Sequence, residues 1–459
     1  MDEIVSLAKR RGFIYPSSEI YGGLANAYDY GPLGAELMRN IKNLWWKKFV
    51  QNRRDMVGLD SQIILHPETW VASGHVGGFS DAVVIDVKTQ KRYRADHLVE
   101  AWIEGKDEFK DMVIEKFSLE ELGSFITDHK ITSPKGNEVS APKKFDLLMN
   151  THLGTLEGQK DIAYLRGETA QGIFSNFKNI LDTTRVTMPF GVGQIGKSFR
   201  NEITLGQYIF RTFEFEQAEI EYFFNPEETS WEDLMSIWKD SMWNFVTKEL
   251  GINESHIQWR EHTDEERSFY SKQTFDLDYQ FPFGWKELWG VAYRTDYDLT
   301  QHMKHSGKDI RYTDPHTGEK YTPHVIEPAV GLNRMLFMVL CDAYREIDGR
   351  TVLALNPALA PYQAAVFPLV ANKPELIEKA ESVFESLSST IPTYWDARGN
   401  IGKRYRYQDE IGTPFCITID YESISSHTVT IRKRDSMAQE RVSIDALASY
   451  IQTNLSEAL

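Results

Sequence analysis

FRNEITLGQYIFRTFEFEQAEIE, residues Phe199–Glu221, decides how the rest of this 459-residue chain is read. Alternate residues of a strand share a face, so Arg200 and Glu202 point the same way. Arg211, Phe215 and Glu219 follow at spacings of four and four, both even, and share a face on a second strand. Two adjacent antiparallel strands would present Arg, Glu, Arg, Phe and Glu together. Arginine forks suit phosphate oxygens, a phenyl face suits stacking on a purine, and a carboxylate suits an ammonium group. A polar strand face with surface ion pairs is the ordinary alternative, because Glu214, Glu216 and Glu221 make charge common here.

Downstream, Leu332, Met335, Leu336, Val339 and Leu340 recur at helical spacing, and Arg334 lies off that stripe near the helix start. A short strand at 323–327 is expected to lead into a helix over 329–345, with Gly331 allowing close approach of another group. Upstream, Leu37, Ile41, Leu44, Trp45 and Phe49 predict a helix over 35–50 after a Gly- and Tyr-rich loop. A strand is expected over 59–65, closed by Pro67, which cannot donate to a ladder. Three strands are expected within 185–224, a helix over 231–250, and a strand-rich stretch over 274–299. Residues 86–146 are dense in charge, with Met112, Ile114, Phe117, Leu119 and Leu122 suggesting one or two amphipathic helices. This region reads as an insertion. ALNPALAP, residues 354–361, reads as a linker. Beyond it, strands at 363–369, 393–396, 415–420 and 428–432, a helix at 374–387 and an N-cap at Ser443 for a last helix describe a small α/β domain.

Apolar residues make up 41% of the chain and charged residues 26%, ordinary for a globular protein, and the length calls for more than one domain. A net charge of −16 argues against a surface coated in basic charge for non-specific nucleic-acid binding. Cys341 and Cys416 are far apart in apolar contexts and read as buried thiols. No apolar run reaches membrane-span length, and Met1–Arg11 mixes charges, unlike a secretory signal. A cytoplasmic address is the expectation, with no membrane association.

Pro67 after a helix and strand, the Arg200–Glu202 and Arg211–Phe215–Glu219 sets, and the Gly331-to-Arg334 spacing resemble the three signature motifs of class II aminoacyl-tRNA synthetases. RGETAQGIF (166–174), FRNE (199–202), EFEQAEIEYF (214–223), RTDYDL (294–299) and EPAVGLNR (327–334) resemble the homodimeric glycyl-tRNA synthetases. RYRYQDEIGTPFCITID (404–420) resembles their anticodon-binding domain. The implied architecture is α+β: a class II synthetase catalytic core of antiparallel sheet flanked by helices, an inserted subdomain, and a C-terminal α/β anticodon-binding domain. The implied division is 1–85 and 147–355 for the core, 86–146 for the insertion and 356–459 for the C-terminal domain.

The resemblance implies two steps, in which a glycine carboxylate attacks the α-phosphate of ATP and a tRNA terminal hydroxyl then takes the glycyl group. The first nucleophile is already an anion, so positioning and charge neutralisation suffice. By resemblance, Arg200 and Arg334 are catalytic. Arg200 holds the α-phosphate, Glu202 lies near the adenine amino group, Arg211 and Arg334 hold the outer phosphates, and Phe215 stacks under adenine. Asn201 and Leu288 neighbour the nucleotide, and the ATP site extends to Phe210, Thr212, Phe213, Glu214, Glu287, Gly331, Leu332 and Asn333. Glu287 and Glu327 are the implied Mg²⁺ ligands. Glu168, Glu219 and Glu327 would surround the glycine ammonium, with Arg94 and Arg294 close by. Phe215, Glu216, Gln217, Ala218, Pro328, Ala329 and Gly331 complete the glycine site. For tRNA, Arg398, Arg404 and Arg406 cluster with Lys403 and with Tyr405 and Tyr407, a mixture suited to RNA loops, and Arg432, Lys433 and Arg434 add a second basic run. A solvated basic edge is the alternative. A homodimer is implied.

Three positions depart from the family pattern. Gly167 replaces an expected Pro, Phe213 an Arg and Ala329 a Ser. Phe213 is expected on the face of Arg211 and Phe215. Two rival readings remain at this point: a non-catalytic, synthetase-like nucleic-acid-binding or accessory protein, and a synthetase for serine, threonine or proline.

Overall fold

The computed structural model describes every residue except 79, 111, 115–116, 155–160, 204–205, 265, 269 and 458–459. Seven strands form its central sheet, in the order Ile257–Glu261, Gln273–Phe281, Gly284–Thr295, His324–Gly331, Glu214–Phe224, Phe190–Phe199 and Met56–Gly58. Neighbours are antiparallel except the last pair, where Met56–Gly58 runs parallel to Gly191–Gly193.

The two faces of this sheet have different company. Even-numbered residues of Glu214–Phe224, among them Ala218, Ile220 and Phe224, join the main core with Leu37, Ile41 and Trp45 of helix Pro32–Trp46 and Leu336 of helix Leu332–Ala343. Odd-numbered Phe223 packs instead with Phe174 and Phe177 of helix Ala170–Thr183. The odd face therefore runs from an apolar patch at Phe223 through Glu221, Glu219 and Gln217 to Phe215, as strand parity requires.

Several elements differ from expectation. Residues 59–65 form no strand, since the paired segment is Met56–Gly58 and only Ile64 makes an isolated bridge, to Leu165. Their backbone is claimed by side chains. Ser61 N donates to Gln194 Oε1 at 2.9 Å, and buried Arg166 donates to the carbonyls of Ser61 at 2.9 Å and Lys197 at 2.6 Å. A Cβ at Gly196 would stand 2.0 Å from Arg166 Nη2, so glycine is what lets this arginine cross the sheet. Pro67 opens a helix, Pro67–Ala72, where its missing N–H leaves no bond unmade. Two long strands, not three, lie within 185–224. The strand before Arg334 runs to Gly331, so Ala329 is in the sheet and the helix begins at Leu332.

The charged region forms a separate layer. Strands Ser80–Ile85, Arg92–Arg94 and Lys143–Asp146 make a three-stranded sheet, so the layer takes in residues before 86. Helices Ala95–Ile103 and Leu119–Asp128 cover it, burying Val84, Val99, Leu122 and Ile126 together, while Met112 and Ile114 lie outside both helices.

The C-terminal sheet has the order Thr393–Trp395, Ala364–Pro368, Phe415–Ile419, Thr428–Lys433 and Gln439–Ser443. Its first three strands are parallel and its last two pairings antiparallel. Helix Ile401–Ile411 and strand Gln439–Ser443 were not expected. Ser443 makes no side-chain cap, and a short 3₁₀ turn precedes the last helix, Leu447–Glu457. The expected linker is fastened. Asn356 Nδ2 donates to Glu249 O at 3.1 Å, and Asn40 Nδ2 reaches Leu359 O and Ala360 O at 3.2 Å. Cys416 is buried, Cys341 partly so, and neither is in a disulfide. Among the described residues no helix is long and apolar enough to cross a membrane.

Candidate active site

The odd face of Glu214–Phe224 forms one wall of a cavity of about 280 Å³ on the central sheet. Phe215, Gln217 and Glu219 line it from that strand, Glu287 and Gly290 from Gly284–Thr295, and Glu327, Ala329 and Gly331 from His324–Gly331. Arg200, Glu202, Arg211 and Arg334 line it too, but not through strand parity. Strand Phe190–Phe199 ends before Arg200, and Arg211 follows the 3₁₀ turn Tyr208–Phe210, bridged to Gly206. Arg200 and Arg211 reach the cavity from the connection between the two long strands and Arg334 from the start of helix Leu332–Ala343, and on Glu214–Phe224 parity accounts for Phe215, Gln217 and Glu219.

One end of the cavity is cationic. Arg200 Nε donates to Gly167 O at 3.0 Å and its guanidinium lies 5.5 Å from the centre of the Phe215 ring. Because the acceptor at 167 is a backbone carbonyl, Gly in place of Pro leaves this contact intact. Arg211 faces Glu202 at 3.9 Å. Arg334 is held rather than solvated: it donates to Phe210 O at 3.2 Å and Glu287 O at 3.1 Å, meets Glu287 Oε2 at 3.0 Å, and covers the Phe210 ring at 4.3 Å. Asn333 Oδ1 accepts from Glu216 N at 2.8 Å, tying the helix start to the strand.

The other end is acidic and buried. Glu219 accepts from Thr169 Oγ1, and from Gln217 Nε2 at 2.9 Å. Glu327 accepts from Arg294 Nη1 at 2.9 Å, and Arg294 is itself forked onto Asp298 at 2.8 and 2.9 Å. Burial, then the neighbouring Glu327 and Glu168, push the Glu219 carboxyl well above the ordinary range. Burial also raises Glu327, against the pull of Arg294. At Glu168 burial works upward too, but His75 at 3.4 Å and Arg294 outweigh it and hold this carboxyl below the ordinary range.

Phe210, Thr212, Asn333 and Glu168 also line the cavity. Other expected residues do not. Arg294 is 1% exposed and acts behind the wall by orienting Glu327. Arg94 lines a second cavity beside Asp81, Asp96 and Lys144, where Asp96 and Asp81 hold its guanidinium. Glu216 points to the opposite face and pairs with Lys42 at 2.8 Å, and Ala218 is core on that same face. Glu214 is exposed and pairs with Lys197. Leu288 and Leu332 are core, and Pro328 is buried in the sheet away from the cavity lining. Asn201 turns to the inserted layer, its N–H meeting Leu147 O at 2.8 Å. Phe213 lies before the strand, outside the lining, and offers its carbonyl to Arg200 N at 2.9 Å. A Cβ at Gly331 would meet nothing nearer than the Arg334 stem at 3.8 Å, so the protein's own packing does not demand glycine there.

His262, Tyr270, Thr274 and Asp276 line the cavity and were not expected. Asp276 accepts from His262 Nε2 at 2.7 Å and from Arg260 Nη2 at 2.5 Å. Polar Thr274, Asp276 and Asp278 alternate with Phe275, Leu277 and Tyr279, the one signal that could have shown a polar strand face there.

In the C-terminal domain, Arg398 and Arg406 are exposed, but Arg404 is 1% exposed and donates to the carbonyls of Pro368, Ala397, Arg398 and Gly399. Its donors are spent on the fold, so it is not an RNA contact. Arg432 forks onto Asp409 at 2.8 and 3.0 Å, and Arg434 reaches Gly412 O at 2.7 Å and Leu355 O at 2.9 Å, so the second basic run is also largely structural.

This sheet with its two-ended cavity defines a class II synthetase core. Residues 155–342 match the family model described as tRNA synthetase class II core domain (G, H, P, S and T), and residues 363–454 match that described as anticodon binding domain. A prolyl-tRNA synthetase from Cryptosporidium parvum, solved with halofuginone and AMPPNP, has the same fold, with a TM-score of 0.65 at 13% identity, covering 100% of this chain and 77% of that one. Within the class, the chain is 50% identical to the glycine–tRNA ligase of Caldanaerobacter subterraneus, covering 99% of this chain and 98% of the relative. It is 52% identical to that of Clostridium tetani, covering 98% and 97%. The chain belongs to the glycine–tRNA ligase family.

Proposed function

We propose that this chain joins glycine to its tRNA in two steps, ATP-dependent formation of glycyl-adenylate and transfer to the tRNA 3′ end. The observation that carries this reading is the polarity of one cavity, with Arg200, Arg211 and Arg334 at one end and Glu219 and Glu327 buried at the other. Glycine has no side chain to grip. A site can only hold its ammonium and carboxylate and leave no room for more. Arg200 neutralises charge at the α-phosphate and the attacking carboxylate. Arg211 and Arg334 hold the outer phosphates, and Phe215 stacks on adenine. No general base is required, because the nucleophile arrives ionised. ATP use goes with the class II core. Mg²⁺ takes one or two carboxylates plus phosphate oxygens. Glu287, half-exposed beside Arg334, suits that role, where the ion would neutralise phosphate charge. Glu327, paired to Arg294 and neighbouring Glu219, belongs to the ammonium end instead.

Glycine-dependent ATP–pyrophosphate exchange tests the reading. Exchange with glycine and not with serine, threonine, proline or alanine is expected. Absence of exchange with every amino acid would leave the non-catalytic alternative standing.

The core is read as two stretches around the charged layer, with the C-terminal domain taking the anticodon loop through exposed Arg398 and Arg406. The working form is read as a cytoplasmic homodimer joined through the segment Pro32–Pro67. Light scattering that returned a single-chain mass would reject the dimer.

A further inference from the structure

Glu221 shares a strand face with Glu219, one step deeper and behind the cavity lining, and nothing in the reaction described so far uses it. It is 0% exposed, and neither carboxyl oxygen has a hydrogen-bond partner among the described residues. The strand register pairs Glu219 with Ala329 and Tyr222 with Ile326, which sets Glu221 opposite Glu327. Oxygens of Glu219, Glu221 and Glu327 lie within 4.8 Å of one another, and all three residues are buried. Buried polar groups without partners are rare, and like charges directly across two strands repel. Such a group in a native fold calls for an explanation, because Arg294, the cation beside this cluster, is bonded to Glu327 and Asp298 and leaves both Glu221 oxygens without a donor.

Three oxygens at the corners of a triangle with sides no longer than 4.8 Å can all be met by one central nitrogen at a hydrogen-bond length of about 2.8 Å. An ammonium group has three N–H donors, one for each corner. Glu168 accepts from Gln171 at 3.0 Å, Glu219 from Thr169 and Gln217, and Glu327 from Arg294, so Glu221 is the one of these four carboxyls with both oxygens open among the described residues. We infer that Glu221 is a further residue of the ammonium pocket, its carboxyl reserved for the α-ammonium of the amino acid and left unpaired until that group arrives. The inference rests on the acidic end of the cavity being the ammonium site. It adds a second consequence: Glu221 weakens the free protein, because its carboxyl is buried without a partner for the sake of the substrate.

The test compares Glu221→Gln with Glu219→Gln in the full-length protein, reading the glycine and ATP KM values by pyrophosphate exchange and the melting temperature without ligand. Glu221→Gln is expected to raise the glycine KM about tenfold or more, leave the ATP KM within about twofold, and melt no lower than the parent. A merely structural role predicts a lower melting temperature and no selective effect on glycine. If Glu219→Gln raises the glycine KM and Glu221→Gln does not, the inference falls and the ammonium pocket stands. If neither moves it, the pocket falls as well. Glu221→Met, similar in volume, serves if the amide variant does not fold, and failure of both to fold would assign Glu221 to the core and overturn the inference.

Discussion

Phe215 is partly buried in the cavity wall with the Arg200 guanidinium 5.5 Å from its ring centre. Replacing it with alanine removes a stacking surface worth roughly 1–3 kcal/mol per base. The ATP KM should rise about 5- to 150-fold in pyrophosphate exchange, while the glycine KM stays near the parent's and Phe215→Tyr retains most of the affinity. His262 offers a pH-dependent test. Its hydrogen bond to Asp276, ahead of the opposing effect of burial, raises the imidazole above its ordinary value. The stabilisation is therefore complete below the unfolded value of about 6.5, down to where Asp276 protonates, and is lost as pH rises through the folded value. Melting curves of the parent and His262→Gln should differ most in that acidic-to-neutral window and converge at alkaline pH. A constant gap would remove the imidazolium from the account.

At the scale of elements, helix Ile401–Ile411 separates two meanings of a basic run. Arg404→Ala would strip the donors from four carbonyls and should cost roughly 3 kcal/mol or more of stability, read by denaturant melts. Arg398→Ala removes an exposed charge. It should leave the melt unchanged and raise the tRNA KM instead. Sequence alone could not divide these arginines, because the run RYRYQDEI is too polar to announce a helix, and the helix is what turns Arg404 inward while leaving Arg406 exposed. The same limit governs the site. Phe215 and Glu219 were legible because a strand of period two fixes which side chains share a face. Arg211 reaches the cavity as expected but not through strand parity, and Phe213 does not reach it, because the 3₁₀ turn and the bend before the strand break that period. Residues 59–65 look like a strand by composition, but Arg166 and Gln194, far away in sequence, take their backbone groups. Tertiary partners of this kind leave no local trace.

Across the whole molecule, the first helix is fastened to the C-terminal domain. Arg11 Nε meets Glu410 at 2.6 Å and Arg10 at 3.0 Å, and the Arg11 guanidinium also covers the Tyr407 ring at 4.6 Å. Glu410 is buried, so Glu410→Ala should loosen the contact between core and C-terminal domain by about 1 kcal/mol and separate a single calorimetric transition into two. One overlapping transition in the variant would show that the remaining contacts, such as Arg434 to Leu355, hold the domains together without it.

The bond between Arg10 and Glu410 spans 400 positions. A ribosome making this chain therefore exposes the helix Asp2–Arg11 long before its partner exists. The helix is short, and helices of its length are marginal in water without packing. Its buried residues Ile4, Leu7 and Ala8 share a core with Phe13, Ile14 and Leu33, the nearest partners in sequence that it has early in translation. The seam at Glu410 is among the last contacts to close, and nascent chains halted before residue 410 should leave Arg10 and Arg11 open to protease.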